Sequence, residues 1–582
     1  MSDAPDHERP VVPPDAAWDP TDRAAREDIA EALDVTLVVE AAAGTGKTTE
    51  LINRILRVLE SGRAAIEEIV AVTFTEKAAG ELKLRLRESL EARRAAAPGD
   101  DERARLDRAL ATLEETQVNT IHGFCATLLR ERPVEALVDP LFTVLTEAES
   151  RRLYDRAFKG WLQSTLADPP EGVRRALRRS AGVFQAGRDD DDGPIGRLRS
   201  AGWALVGARD MAAPWRRPIF DRAAAVWRLL DALHRLADLG SGASSARDAL
   251  FVDLDGVRRL SQQVRLEHSL GRTDLDGWEA RLVDLLRDRG FARTRKGAGH
   301  KFSAQVSRTD VLAARDRLFA ELLQFRADAD GDLAAALQGD LRVVIDRYEE
   351  LKAAAGALDF ADLLTRARHL LVSNEGVRSY LQQKFQRIFV DEFQDTDPVQ
   401  ADILLLLAAD DSSVSEPSAV RPVDGKLFLV GDPKQSIYRF RGTDVDTYWR
   451  VTRQLERHGG RVLQLTTSYR SVPAIQRFVN AAFRDEMRAD AHALQPDYVP
   501  LAPFRLANEF QPAIVALPVP RPYGARGPLK ASPKAIEDSL PDAVGAYIEW
   551  LIEPKHGWQV TERDPTGAER WVPVQPRHIA LL

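Results

Sequence analysis

Ala41, Ala42, Ala43, Gly44, Thr45, Gly46, Lys47, Thr48 and Thr49 follow an apolar run with a distinctive spacing: one small residue, four of any kind, then Gly-Lys-Thr. Gly44 and Gly46 permit backbone conformations that side chains forbid, so successive N–H groups can turn toward phosphate oxygens. Lys47 would reach the β- and γ-phosphates of a nucleoside triphosphate, and the Thr48 hydroxyl would ligate Mg2+. A helix over Lys47–Glu60 would set its positive dipole end against the same anion. The alternative is a glycine-rich strand-to-helix turn with no ligand. The order of apolar strand, loop and amphipathic helix favours a nucleotide.

The complement is IFVDEFQDTDP (388–398), where an apolar strand would deliver Asp391 and Glu392 at its carboxyl end. Asp391 suits a Mg2+ shell, directly or through water, because Mg2+ prefers oxygen ligands and keeps several waters. Glu392 is placed to polarise an attacking water, since phosphoryl hydrolysis is largely positioning plus charge stabilisation. Two acidic residues ending a strand also serve as a helix cap. A phosphate-loop sequence in the same chain favours catalysis.

These side chains need a scaffold. Four apolar, β-branched runs read as buried parallel strands: 36–40 (TLVVE), 69–73 (IVAVT), 387–390 (RIFV) and 427–430 (LFLV). Each leads into a turn or helix signal, the pattern of a doubly wound α/β sheet, whose ligands bind at the carboxyl ends of the strands. From about 146 to 340 the chain turns Arg-, Asp-, Leu- and Ala-rich with helical spacing, which reads as a helical domain inserted into the sheet domain. Its charge runs, RDDDDG (188–193) and RTRKGAGHK (293–301), read as solvated faces or loops.

The 582 residues exceed a single hydrophobic core, and 44% apolar with 29% charged residues is a soluble globular composition. The longest apolar run, Ile403 to Ala409, falls short of the ~18 residues of a membrane span. Residues 1–20 are acidic and proline-rich, lack the features of a signal peptide, and read as a flexible tail. One cysteine, Cys125, excludes an internal disulfide and a cysteine-cluster metal site, and points to the cytoplasm. A net charge of −8 does not advertise nucleic-acid binding, although the charge lining one groove matters more than the total.

The string DEFQDTD (391–397) resembles motif II of superfamily 1 helicases of the UvrD, RecB and AddA type, and other segments agree in order. VTFTEKAAGELKLRLR (72–87) resembles motif Ia, VNTIHGFCATLLRERP (118–133) the TxHxFC segment, and YEELKAAAGALDFADLL (348–364) the stretch before motif II. LVGDPKQSIYRFRGTD (429–444) resembles motif III and TTSYRS (466–471) motif IV. VVEAAAGTGKT is closer to the RecB and AddA branch than to UvrD itself.

The resemblance implies a RecA-like P-loop NTPase: domain 1A over 21–145 and 341–460, a helical insertion domain 1B over 146–340, and the start of a second RecA-like domain, 2A, over 461–582. It implies that Gln394, Asp395 and Gln435 sense the γ-phosphate and link it to a DNA track. Arg470 would be an arginine finger, and Arg26 would join the nucleotide site. Tyr469 would stack on adenine, or else be a core aromatic. For the track the candidates are Thr73, Phe74, Thr75, Lys77, His122, Tyr438, Phe440 and Arg441. A motor that must hold any sequence uses phosphate contacts and base stacking rather than base-edge reading. Phe440 stands where the family usually has Trp. His122 is either a polar DNA contact or a satisfied core histidine, and Phe74 and Tyr438 could equally be core.

The implied activity is that of an ATP- and Mg2+-dependent 3′→5′ DNA helicase in recombination and double-strand-break repair. It would act on single-stranded DNA and duplex ends, beside a partner subunit that is itself a nuclease or helicase, and away from any membrane. A non-motor DNA-binding scaffold is the alternative. Two departures stand out. Aligning DRAARED (22–28) places Ala25, then Arg26, where the family has a glutamine reading adenine. The chain stops at RHIALL (577–582) with no counterpart to motifs V and VI, which implies an N-terminal portion of a longer protein, itself unable to unwind.

Overall fold

The β-branched runs become strands because a parallel sheet covered on both faces demands nearly continuous apolar sequence. In the computed structural model they are β1 (Leu37–Ala41), β2 (Ile69–Thr73), β4 (Arg387–Val390) and β5 (Leu427–Gly431). Two strands not read from the sequence, β3 (Gln117–Thr120) and β6 (Arg461–Leu465), complete a six-stranded sheet. Its order is β3-β2-β4-β5-β1-β6, and every pairing is parallel. Val39 sits opposite Val430 on one side and Leu463 on the other. β6 lies in the stretch assigned from sequence to a second RecA-like domain, and here it is the edge of the first sheet.

The structure describes residues 21–179, 193–209, 213–217, 219–293, 300–437, 445–489, 495–506, 510–518, 521–524, 527–563 and 569–581. They divide between two compact units, Met1–Leu137 with Leu363–Leu582, and Val138–Asp362. Among the described residues no helix is long and apolar enough to cross a membrane.

In the sheet unit, helix α2 (Lys47–Glu60) buries Leu51, Ile55, Val58 and Leu59 against the strands, a stripe at helical spacing. Arg54 is buried on the same helix. Its guanidinium donates to the carbonyls of Ile29, Ala32 and Val35 at 2.8–2.9 Å and lies 5.0 Å from the Phe428 ring. It thereby satisfies the last carbonyls of helix α1 (Arg23–Glu31), which have no partners within that helix.

The second unit is helical apart from a short parallel pair, Thr143–Val144 with Ala357–Leu358. Its longest helix, Arg308–Ala354, has 47 residues, about 70 Å at 1.5 Å per residue, and runs unbroken through residue 340. The first part contributes Val311, Leu322 and Phe325 to one core with Trp278. The second contributes Leu341, Val344 and Tyr348 to another with Tyr154 and Trp161. Between the two cores Asp332 pairs with Arg175 at 2.6 Å and with Arg217 at 2.7 Å. Buried charge persists there because it is paired, as burial requires. Most of the charge runs at 188–193 and 293–301 lie outside the described residues.

Candidate functional site

β1 ends in a loop whose Gly44 and Gly46 have φ of +81° and +91°, the region that side chains rarely enter. At Gly44 space is a second constraint, because an added Cβ would stand 2.5 Å from the Cβ of Arg470. Thr45 closes the loop through its hydroxyl, which donates to Ala42 O at 2.8 Å. Helix α2 then begins at Lys47, so its unpaired N–H groups and dipole face the loop.

β4 lies two strands away and carries Asp391 and Glu392 just beyond its end. Lys47 Nζ donates to Glu392 Oε2 at 2.8 Å. Gln394 Nε2 donates to the same oxygen at 2.8 Å, and its carbonyl accepts from Asp432 N at 2.8 Å. Gln435 Nε2 in turn donates to Asp432 Oδ2 at 2.7 Å. One unbroken chain of hydrogen bonds therefore runs from the phosphate-type loop across the tip of β4 to the tip of β5. Gly431 permits it, since a Cβ there would lie 2.7 Å from Gln394 Oε1. Glu392 has φ of +54°, a strained conformation for a residue with a side chain, of the sort that clusters at working sites.

Burial, and then the Glu392 charge, push the Asp391 carboxyl up to about 6; Lys47, the Glu392 N–H and the Thr48 hydroxyl pull against the rise. Asp395 is likewise pushed up to about 6, by burial first and Glu392 second. A divalent cation would offset this crowding of negative charge. Thr48 and Asp391, joined by a hydrogen bond, are the oxygen donors in place for one. Among the described residues no three His, Cys, Asp or Glu side chains group to hold a metal, so Mg2+ here would draw its remaining ligands from phosphate and water.

A cavity of about 760 Å³ opens over these tips. Arg26, Ala43, Gly44, Gly46, Lys47, Thr48, Thr49, Glu392, Gln435, Tyr469 and Arg470 line it, all singled out from the sequence. Ala41, at the end of β1, and Thr45 are buried, as are Asp391, Gln394 and Asp395, while Ala42 accepts the Thr45 hydroxyl; none of these six lines the cavity. Two further lining residues, Glu50 and Arg85, were not read from the sequence. Arg85 lies on helix α3 (Glu76–Ala96), where one more arginine in KLRLR carries no local signal. Glu50 pairs with Arg26 at 2.6 Å.

Tyr469 is half-buried, its ring 5.2 Å from the Arg26 guanidinium and 4.7 Å from the Phe504 ring, and its N–H donates to Gly44 O at 2.7 Å. That places it at the cavity wall rather than in the core.

The candidates for a polymer track fall at the tips of the neighbouring strands. Thr73 ends β2 and is buried, Thr75 caps α3 by accepting from Ala78 N, and Lys77 is exposed. Phe74 is half-buried between them. His122 follows β3, and burial lowers its pKa while the Glu76 charge opposes the shift. Thr120 Oγ1 to Glu76 Oε1, 2.7 Å, ties β3 to α3. Asp391 N donates to Val72 O at 2.9 Å, so the catalytic-type carboxyl and the tip of β2 share a backbone bond. Tyr438, Phe440 and Arg441 lie outside the described residues.

Residues 22–456 match the family described as UvrD/REP helicase N-terminal domain. Among curated proteins, the chain is 28% identical over 515 residues to an ATP-dependent helicase/nuclease subunit from Exiguobacterium sibiricum, covering 81% of this chain and 40% of that protein. With the protein of the same description from Moorella thermoacetica it shares 29% over 586 residues, 91% of this chain and 39% of the relative. A Listeria monocytogenes relative shares 25% over 498 residues, 79% and 39% respectively. The chain thus spans about two fifths of the length of these relatives.

Proposed function

Because the chain belongs to the UvrD/REP helicase N-terminal domain family, we propose that it is the motor portion of an ATP-dependent DNA helicase. It binds ATP with Mg2+ and moves 3′→5′ along single-stranded DNA in recombination and double-strand-break repair. The relatives are described as one subunit of a helicase/nuclease, which favours duplex ends as the loading point and a second, partner subunit. The division into tail, domains 1A and 1B and the start of 2A belongs to the same proposal.

The observation that carries this reading is the hydrogen-bonded chain from Lys47 through Glu392, Gln394 and Asp432 to Gln435, under a cavity of triphosphate size. Lys47 and the loop N–H groups hold the phosphates, Thr48 and Asp391 the Mg2+. Glu392 orients the attacking water, while Gln435 and Arg470 meet the charge spread over the transferred phosphoryl. Tyr469 stacks on the base. Changes at the γ-phosphate pass from the tips of β4 and β5 to those of β2 and β3, where Thr73, Phe74, Thr75, Lys77 and His122 meet DNA.

ATP turnover with and without single-stranded DNA tests this, in the 582-residue chain and in a version extended to the length of the relatives. Turnover stimulated by DNA and lost in Lys47→Ala supports a motor. DNA binding with no turnover in either form would instead identify a scaffold.

A further inference from the structure

Asp22 does not line the cavity, yet five donors converge on its carboxylate. Arg26 contributes Nε at 2.9 Å and Nη2 at 3.0 Å. Thr466 N, Thr467 N and Thr467 Oγ1 contribute bonds of 2.8, 2.9 and 2.9 Å. Burial alone would raise its pKa, but Arg26 and the Thr467 groups hold it below the usual aspartate value, so it stays an anion. Arg26, so anchored, reaches the phosphate-type loop by donating Nη2 to Thr45 O at 2.9 Å. Thr466 and Thr467 lead directly into Tyr469 and Arg470.

We propose that Asp22 is a positioning residue for nucleotide binding: one carboxylate clamps the Thr466–Thr467 backbone to the Arg26-braced loop and so fixes Tyr469 and Arg470 at the cavity wall. This rests on the nucleotide-site reading above. Two features make the clamp necessary. Gly44 and Arg470 approach so closely that even a methyl group would not fit between them, so a small shift of either opens the wall. In addition, the backbone bond from Tyr469 N to Gly44 O keeps its 2.7 Å length only while Thr466 and Thr467, just upstream, are held in place. Bonds to an ionised acceptor are about twice as strong as neutral ones, so Asp22→Asn weakens the clamp while preserving its shape.

The test is equilibrium titration of the full chain with a fluorescent ATP analogue and Mg2+, with the melting temperature of every variant measured alongside. Asp22→Asn should weaken binding about tenfold, the equivalent of ~1.4 kcal/mol. Thr467→Val, which removes one of the five bonds, should weaken it about two- to threefold, and it decides the matter should Asp22→Asn fail to fold. In a Tyr469→Ala, Arg470→Ala background, adding Asp22→Asn should cost nothing more, because groups acting through one another are non-additive. Unchanged affinity in Asp22→Asn, or a loss of full size in that background, overturns the proposal. Failure of the wild-type chain to bind the analogue would instead sink the nucleotide reading itself.

Discussion

Lys47 and Glu392 neutralise each other across 2.8 Å, so the cation meant for phosphate and the carboxylate meant for water begin as partners. A γ-phosphate arriving between them would take Lys47 for itself and leave Glu392 facing the attacking water. The two residues should therefore fail in different ways. Lys47→Ala should lose nucleotide affinity and turnover together. Glu392→Gln should bind an ATP analogue within about threefold of wild type, yet hydrolyse ATP ~10²–10⁴ times more slowly, the usual worth of an acid–base group. Equal loss of binding in both variants would contradict the separate roles. At this scale the sequence was informative where chemistry needs a fixed local spacing, as at 41–49 and 391–395. It was silent on Arg85 and Glu50, because helix packing brings them to the cavity and no motif marks them.

Elements hold these residues in place through a few buried polar groups. Arg54 serves three carbonyls at once, and removing it leaves all three without that donor inside the core. Arg54→Met should lower unfolding stability by about 3 kcal/mol or more, measured by denaturant titration. A loss under about 1 kcal/mol would show that the carbonyls find other partners. Lys426, at the approach to β5, is buried and donates to Gln382 O at 2.7 Å; burial, and secondarily the Arg387 charge, lower its pKa to about 8. The unfolded chain keeps an ordinary lysine pKa near 10.5, so below about 8 the folded protein carries the full cost of a buried ammonium. As pH rises from about 8 toward 10.5 the folded form loses this proton first, and stability from this group increases. Thermal unfolding of wild type against Lys426→Met between about pH 7 and pH 9.5 should show the variant with the flatter profile; parallel profiles would refute the shift. The four interior strands were legible because burial on both faces leaves only apolar, β-branched residues. β3 and β6 escaped notice because they are the two edges of the sheet, where QVNT and RVLQL alternate buried with more exposed positions.

Across the whole molecule, net charge and local function point in different directions. A chain of charge −8 can hold DNA only where a local surface presents cations and aromatic faces. The track candidates at the tips of β2 and β3 stand on the same carboxyl edge of the sheet as the nucleotide cavity at the tips of β4, β5 and β1. Parallel topology explains why motifs hundreds of residues apart in sequence meet there, since every strand of the sheet ends on that edge. The helical unit was legible as helical from its spacing, but not its two cores, since one long helix with a charged middle serves both. The central claim is that nucleotide and DNA are energetically coupled through this edge, and the coupling must be reciprocal. The most direct measurement is the affinity of the chain for a labelled single strand, at fixed salt, with and without a saturating non-hydrolysable ATP analogue. A shift of about fivefold or more, abolished by Lys47→Ala, is the expected result. Equal DNA affinities with and without bound analogue would contradict it.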